Sequence, residues 1–189
     1  GAYTTVTQWW TGTWVVCGDE VLDGNKRSGF LAVVDLPRHV PVPLELAVNI
    51  HPGETDDRRL LLDHGWRLVD PAVVAGTTDG FRAYVQGSRG EFSVAKPVYV
   101  RTRPGWVSDR TICYLASGRP CVVEDTGAAA HLPASGGLRF FRTPAEAADA
   151  LCGVGADYPA AARAARTLAE EVFATRVVLP QLLRAVGLG

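Results

Sequence analysis

The stretch covering residues 88–127 constrains the fold more than any other part of the sequence. Residues 92–95 form an apolar run too short for a helix, and Pro97 ends it because proline cannot donate a hydrogen bond to a β-ladder. A basic loop follows, then a helix that begins after Ser108, and then a second apolar run at 121–123. Such a unit is half of a doubly wound sheet, in which ligands bind outside the carboxyl ends of the strands.

The same alternation of strand and helix patterns runs along the whole chain. Segments rich in β-branched and aromatic residues predict further strands at 3–10, 44–50, 66–69 and 138–141. Helical spacing with caps or prolines at the ends lies at 26–36, 55–65, 77–85, 143–152, 157–172 and 176–186. Five or six strands alternating with helices predict an α/β fold, with a parallel sheet covered on both faces and a helical carboxy-terminal segment.

The composition of the chain limits the kinds of function and partner that it can have. The chain has 189 residues, of which 47% are hydrophobic, and we predict a single domain over residues 1–189. The net charge of −1 argues against nucleic acid as a partner, so any positive field must be local. No apolar run reaches the length of a membrane span, and residues 1–30 lack the pattern of a secretion signal.

The spacing of the cysteines indicates the redox state of the cellular compartment in which the protein is found. The four cysteines are far apart, with no pair at zinc-ligand or redox spacing; they are Cys17, Cys113, Cys121 and Cys152. We therefore expect buried thiols in a reducing compartment and a cytoplasmic location.

Several catalytic signatures are missing from the sequence. It contains neither G-x-G-x-x-G nor G-x-x-x-x-G-K-[ST], which removes the main support for dinucleotide-dependent dehydrogenases and P-loop enzymes. It also lacks D-x-D and H-E-x-x-H, so we expect no metal site and no cofactor.

A local anion site is predicted around the helix that begins after Ser108. A helix amino terminus has about half a positive charge and unpaired N–H groups, and Lys96, Arg103 and Arg110 lie close to it in sequence. The alternative is a solvated loop with an ordinary serine cap. Spacing alone leaves both interpretations open.

The motifs of this region resemble a known family. S-R-x-E-F-S-V-A-K, G-W-x-S-D-R, Y-L-A-S-G-R-P and D-T-G in residues 88–127 resemble the carboxy-terminal half of a bacterial glycosyltransferase family of the GT-B class. YTTV at the start, ELAVNIHP, HGWRLVDP and the closing VLPQLL also fit that family. The resemblance implies a Rossmann-like sheet of order 3-2-1-4-5 that binds a nucleotide-diphosphate sugar without a metal. The acceptor would be held by an amino-terminal domain that this chain lacks.

The resemblance also implies where the donor binds. The nucleotide would lie between the ends of strands 3–10 and 92–95, where the strand order reverses. The residues assigned to the diphosphate are Lys96, Arg103, Gly105, Ser108 and Arg110.

The chain departs from the retaining GT-B pattern, which has two glutamates eight positions apart. Gly105 and Cys113 stand at those positions. The candidates for contacts to ribose and sugar are therefore Glu91, Asp109, Asp125, Thr126 and Gly127. No catalytic residue is assigned, and the stereochemical outcome does not carry over.

Two further functions are compatible with the sequence. The first is a non-catalytic α/β nucleotide-binding or regulatory module, which the missing glutamates would permit. The second is a complete small enzyme, such as a phosphatase using Asp125 or Ser108, although it lacks metal ligands and a paired general base.

The apolar residues near the two ends of the chain bear on domain organisation. The absence of methionine and the resemblance together predict the carboxy-terminal half of a longer two-domain protein, unable on its own to transfer sugar at a useful rate. Trp9, Trp10 and Trp14 belong either to the core or to the seam with that other domain.

Overall fold

The structure, a computed structural model, describes residues 1–188 and contains a parallel sheet with helices on both faces. The strands in chain order are β1 (Tyr3–Gln8), β2 (Trp14–Cys17), β3 (Glu20–Asp23), β4 (Leu44–Asn49), β5 (Arg67–Val69), β6 (Gly90–Ser93), β7 (Cys121–Glu124) and β8 (Leu138–Phe141). In this part of the chain, six of them form the parallel sheet in the order β5-β4-β1-β6-β7-β8. The predicted fold class is confirmed.

The strand order differs from the predicted 3-2-1-4-5 in two respects. Counted along the parallel sheet alone, the order is 3-2-1-4-5-6, because β8 extends the sheet beyond β7. The second difference is an unpredicted antiparallel hairpin of β2 and β3, which stands between β1 and the first helix. Gly18 makes its turn with a φ of +61°, a conformation that glycine adopts without strain. No strand was predicted between residues 11 and 25.

The helices lie between the strands of the sheet and after the last one. They are α1 (Arg27–Ala32), α2 (Thr55–Asp63), α3 (Pro71–Ala75), α4 (Thr78–Gly87), α5 (Pro97–Thr102), α6 (Asp109–Ala116), α7 (Pro144–Ala156), α8 (Tyr158–Leu168) and α9 (Thr175–Ala185). Short helical turns cover Leu36–Arg38, Ala128–Ala130 and Ala169–Phe173. None of the helices within residues 1–188 combines the length and apolar character needed to cross a bilayer.

Helix boundaries follow the predicted caps at some positions and not at others. Thr77, Thr143 and Asp157 accept hydrogen bonds from the first turns of α4, α7 and α8, as predicted. The predicted basic loop after β6 is instead partly helical, because Pro97 at the first position of α5 is already set at a helical φ. The predicted end of α7 near Cys152 is also wrong, since the helix continues to Ala156.

An aromatic row crosses one face of the sheet and forms the larger core. The rings of Trp9, Phe30, Trp66, Phe92 and Phe141 follow one another with centroid separations of 5.4–6.0 Å. Stacked and edge-on pairs of this kind add to the stability gained from burial. Helices α1 and α7 contribute Phe30, Leu151 and Val154 to this core.

A second core lies on the opposite face, under α4, α6 and α8. It contains Val85, Tyr114, Leu115 and Leu168. Consecutive residues of a strand point to opposite faces, so Cys121 packs in this core while Val122 packs in the other. The sheet is thus buried on both sides.

The exposure of the cysteines differs from the prediction, whereas the tryptophans, for which two positions were left open, are divided between core and surface. Only Cys121 is a buried thiol; the side chains of Cys17, Cys113 and Cys152 are exposed, so that prediction was wrong for three of the four. Trp9 is a core residue, whereas Trp10 and Trp14 are 42% and 60% exposed. Helix α9 also leaves apolar side chains in solvent, namely Val178, Leu179, Leu182 and Val186.

The close packing of α8 against the start of β8 predicts a strong effect of adding one methyl group. A Cβ at Gly137 would overlap the backbone N and Cα atoms of Ala165. We expect Gly137→Ala to lower the free energy of unfolding by about 1–3 kcal/mol or more, because the backbones must move apart. Urea denaturation measures this loss.

Gly155 is the matched control, since it lies in α7 with no heavy atom within 4 Å of its would-be Cβ. Gly155→Ala should raise the free energy of unfolding by about 0.5–1 kcal/mol, through the lower entropy of the unfolded chain. Equal effects of the two substitutions would contradict this account of the packing.

Candidate functional site

A cleft opens at the carboxyl edge of the sheet, where β1 and β6 separate. β1 pairs with β4 along its whole length, from Tyr3 to Gln8, but with β6 only through Tyr3–Gly90 and Thr4–Glu91. The chain runs from β1 to β4 and β5 on one side and from β6 to β7 and β8 on the other. This is the point of strand reversal, at which open α/β sheets bind their ligands.

The side chain of Arg110 fills the inner end of the gap between the two strands. Its Nε donates to Glu91 Oε1 at 2.7 Å and its NH2 group donates to Ser93 Oγ at 2.8 Å, both on β6. Its NH1 group donates to the carbonyl of Val6 on β1 at 2.9 Å. One guanidinium therefore joins both strands and α6.

Lys26 approaches the same point from the segment before α1. The residue is only 7% exposed, and its Nζ donates to Ser93 Oγ at 3.3 Å. The Ser93 hydroxyl thus accepts from both Lys26 and Arg110. Burial, reinforced by the charge of Arg110, lowers the pKa of Lys26 to about 7.

Lys26 was not predicted as a site residue from the sequence. The available signal was a lysine at the start of the predicted helix 26–36, but spacing gave no indication that it would be buried. The residues on either side of Lys26, Asn25 and Arg27, fix its backbone through hydrogen bonds and an ion pair. Asn25 Oδ1 accepts from the N–H groups of Thr11 and Gly12, and Arg27 forms a bidentate ion pair with Asp57 at 2.6 and 2.8 Å.

The cleft above these groups has a volume of ≈ 420 Å³. Its lining includes the carboxyl ends of β1 and β4 and all three nearby cations; the residues are Val6, Thr7, Gln8, Thr11, Lys26, Asn49, Pro71, Lys96 and Arg110. A recess of ≈ 20 Å³ adjoins it towards the amino terminus of α6 and is lined in part by Ser108 and Glu124. No carboxylate lies among the residues that line the larger cleft.

The structure brings together three of the five residues assigned to the diphosphate. Lys96 and Arg110 line the cleft and Ser108 lines the recess. Ser108 does not cap α6 as expected; its hydroxyl donates to Asp109 Oδ1 at 3.2 Å. That carboxylate oxygen instead accepts from the N–H of Arg110 at 2.8 Å.

The other two assigned residues, Arg103 and Gly105, lie outside the cleft. Arg103 ends α5 in the left-handed region, with a φ of +49°, and its guanidinium donates to Asp125. The N–H of Gly105 donates to the carbonyl of Thr126 at 2.9 Å. Their assignment to the diphosphate does not fit this geometry, because both are used to fix the loop between α5 and α6.

Asp125 is the centre of that loop arrangement and is not open to a ligand. Its Oδ2 accepts from Arg103 at 3.2 Å and from Arg142, and its Oδ1 accepts from the N–H of Gly127. Burial acts to raise the pKa of Asp125, but these hydrogen bonds prevail and lower it. Thr126 is also buried and donates to the carbonyl of Trp106 at 2.6 Å.

The remaining ribose and sugar candidates differ in access. Glu91 has no exposed surface and lies beneath Arg110, so it cannot contact a ligand in this conformation. Gly127 has a φ of +95°, and a Cβ there would come within 2.9 Å of the carbonyl oxygen of Arg103. The backbone conformation and the lack of space therefore explain why this residue is a glycine. Asp109 is exposed at the amino terminus of α6. Of the five candidates, Asp109 alone is exposed to solvent.

Two further observations concern possible metal ligands and similarity to known proteins. Within residues 1–188, no three side chains of His, Cys, Asp or Glu lie together as ligands for a metal ion. No protein-family model matches the chain, and no curated protein is significantly similar to it in sequence.

The buried pair of Arg110 and Glu91 predicts a large loss of stability when one partner is removed. Arg110→Met leaves the buried carboxylate of Glu91 without its ion-pair partner in the centre of the sheet. We expect it to lower the free energy of unfolding by about 3–5 kcal/mol in urea denaturation. The double variant Arg110→Met with Glu91→Gln should recover much of that loss, because it removes the unpaired charge.

Arg101→Met is the matched control for Arg110→Met. Arg101 pairs with Glu20 at the surface, where both side chains are more than half exposed, and its removal should leave the urea midpoint nearly unchanged. A single Arg110 variant as stable as the wild type would contradict the assigned role of the buried pair.

The lowered pKa of Lys26 makes stability depend on pH in a defined direction. Between about 7 and the ordinary lysine value of 10.5, the unfolded chain binds a proton that the folded chain lacks. This group therefore makes the wild type more stable as pH rises through that window, by at most ~1.4 kcal/mol per pH unit. Lys26→Met removes the effect, so its stability advantage should be largest below pH 7 and shrink above it. A constant difference across pH in urea denaturation would contradict the assignment.

Proposed function

We propose that the cleft binds the diphosphate of a nucleotide sugar, and that the chain is the donor-binding half of a metal-independent GT-B glycosyltransferase. The observation on which this depends is the convergence of Lys26 and Arg110 on the hydroxyl of Ser93 at the point of strand reversal, with Lys96 beside them. Phosphate oxygens are the natural acceptors for such a group of cations.

The dimensions and charge of the cleft support a ligand of this kind. Its volume of ≈ 420 Å³ lies within the range of about 300–1,000 Å³ typical of small-molecule sites. In residues 1–188, neither Lys26 nor Lys96 has a carboxylate within ion-pair distance. An anionic ligand would supply the missing negative charge.

Each cation would have a separate role in binding. Arg110 uses three of its five N–H groups within the protein, which fixes its guanidinium and leaves two for a ligand. Lys96 is free of side-chain partners in the described part of the chain and would contact the diphosphate from the loop after β6. Lys26 would contact it from below. The cations would take the place of a metal ion in neutralising the departing diphosphate.

A non-catalytic nucleotide-binding or regulatory module is the second candidate function. It is favoured by the burial of Glu91 and Asp125, which removes two carboxylates that a sugar could contact. It is also favoured by Gly105 and Cys113 at the positions where retaining GT-B enzymes have glutamates. Asp109 remains as an accessible acidic residue beside the cleft for the first candidate.

Calorimetric titration with uridine, guanosine, adenosine and thymidine diphosphates tests the proposal. We expect at least one to bind, and Lys96→Met to weaken its binding by ~10- to 150-fold, since a hydrogen bond to a charged group contributes about 1.5–3 kcal/mol. Arg101→Met is the matched control, because Arg101 pairs with Glu20 and does not line the cleft. It should leave the dissociation constant unchanged.

The outcomes separate the candidate functions. Absence of binding by all four diphosphates would contradict the glycosyltransferase and favour a regulatory module that does not bind nucleotide. Diphosphate binding that is followed by sugar transfer, once an acceptor domain is supplied, supports the glycosyltransferase over the non-catalytic module.

A further inference from the structure

Lys26 is unusual because it is a buried amine without a counter-ion. Its Nζ has a serine hydroxyl as hydrogen-bond partner, at 3.3 Å, and within residues 1–188 it makes no ion pair with a carboxylate. Buried lysines normally either pair with an acid or give up their proton.

The charged groups around Lys26 do not compensate for its charge. Arg110 on α6 and Lys96 after β6 both oppose protonation of Lys26. Glu91 on β6 and Glu124 on β7 favour it, but each is committed elsewhere. Glu91 accepts from Arg110, and Glu124 Oε2 accepts from the N–H of Ala95 at 2.9 Å. Burial also raises the pKa of Glu124 above its ordinary value.

We propose that anion binding in this cleft is coupled to proton uptake by Lys26: the buried amine has no carboxylate partner within residues 1–188, and a bound diphosphate draws a proton from solvent onto Nζ. This inference rests on the proposed function, because it requires a diphosphate in the cleft. The step forms one N–H bond from the nitrogen lone pair and a solvent proton. No bond of the ligand is broken.

The hydrogen-bonding geometry explains why the ligand would shift the balance. A neutral amine has two N–H groups, one of which donates to Ser93, whereas the ammonium ion has three donors and a full charge and therefore needs more acceptors. Diphosphate oxygens in the cleft provide both acceptors and negative charge, which together favour the charged form.

The direction in which affinity changes with pH follows from the coupling between proton binding and ligand binding. Below a pH of about 7, Lys26 is already charged in the empty cleft, so binding requires no proton. Above it, each binding event must also protonate the amine. The contribution of Lys26 to affinity should therefore fall by about tenfold between about pH 6 and about pH 8.

Lysine side-chain NMR tests this directly, because Lys26 and Lys96 are the only lysines in the sequence. Protein grown with ¹³C,¹⁵N-labelled lysine should give two ¹³Cε signals, and Lys26→Arg removes one of them and thereby assigns both. Lys96→Arg provides the same assignment if the first variant does not fold. Inorganic pyrophosphate serves as the ligand probe, and wild-type protein is titrated with acid and base in its absence and presence.

The expected result is a Lys26 titration midpoint near 7 that rises by one unit or more when pyrophosphate is bound. Calorimetry in buffers of different ionisation enthalpy should show proton uptake above neutral pH. Lys26→Arg, whose guanidinium stays protonated throughout, should bind pyrophosphate without this uptake.

Two results would overturn the inference, and they are distinguishable. If pyrophosphate binds, as seen from the Lys96 signal and from heat, but leaves the Lys26 midpoint unmoved, the coupling is absent while anion binding stands. If neither pyrophosphate nor any nucleoside diphosphate binds, the proposed function fails and the coupling fails with it.

Discussion

The buried guanidinium of Arg110 is the interaction on which the candidate site depends. β1 and β6 separate after two residue pairs, and separation leaves backbone groups without ladder partners. Arg110 donates to the backbone carbonyl of Val6 on one strand and to the side chains of Glu91 and Ser93 on the other, so one guanidinium spans the gap and satisfies that carbonyl. The cleft can stay open because one side chain from α6 occupies its inner end.

The burial of Lys26 lowers the stability of this arrangement. A buried amine beside a guanidinium is unfavourable, and neutral residues would stabilise the same fold better. Perturbed groups of this kind concentrate at functional sites, where the local cost is offset by stability elsewhere. Here the aromatic row across the sheet and the bidentate pair of Arg27 and Asp57 supply rigid surroundings.

A second group of arginines lies at the same edge of the sheet and serves a different purpose. Arg103 and Arg142 both donate to Asp125, whose other oxygen accepts from backbone N–H groups. Because its acceptors are satisfied internally, this cluster holds the loops after α5 and β7 together. The contrast with Lys26 and Lys96, which have no carboxylate partner in residues 1–188, separates structural cations from those available to a ligand.

The sequence alone determined the α/β class and the parallel strands. These follow from local patterns: apolar runs of strand length, helix caps such as Thr77 and Thr143, and proline breaks. Local patterns also placed Lys96, Ser108 and Arg110 near one another, because the loop and helix that hold them are adjacent in sequence. Only the tertiary structure decided that Lys26 joins them, since its contact with Ser93 spans 67 residues. Likewise, only the packed structure separated Arg103 from the cleft and buried Glu91 and Asp125, because a charged side chain turns towards whichever partner the folded chain brings within hydrogen-bond distance.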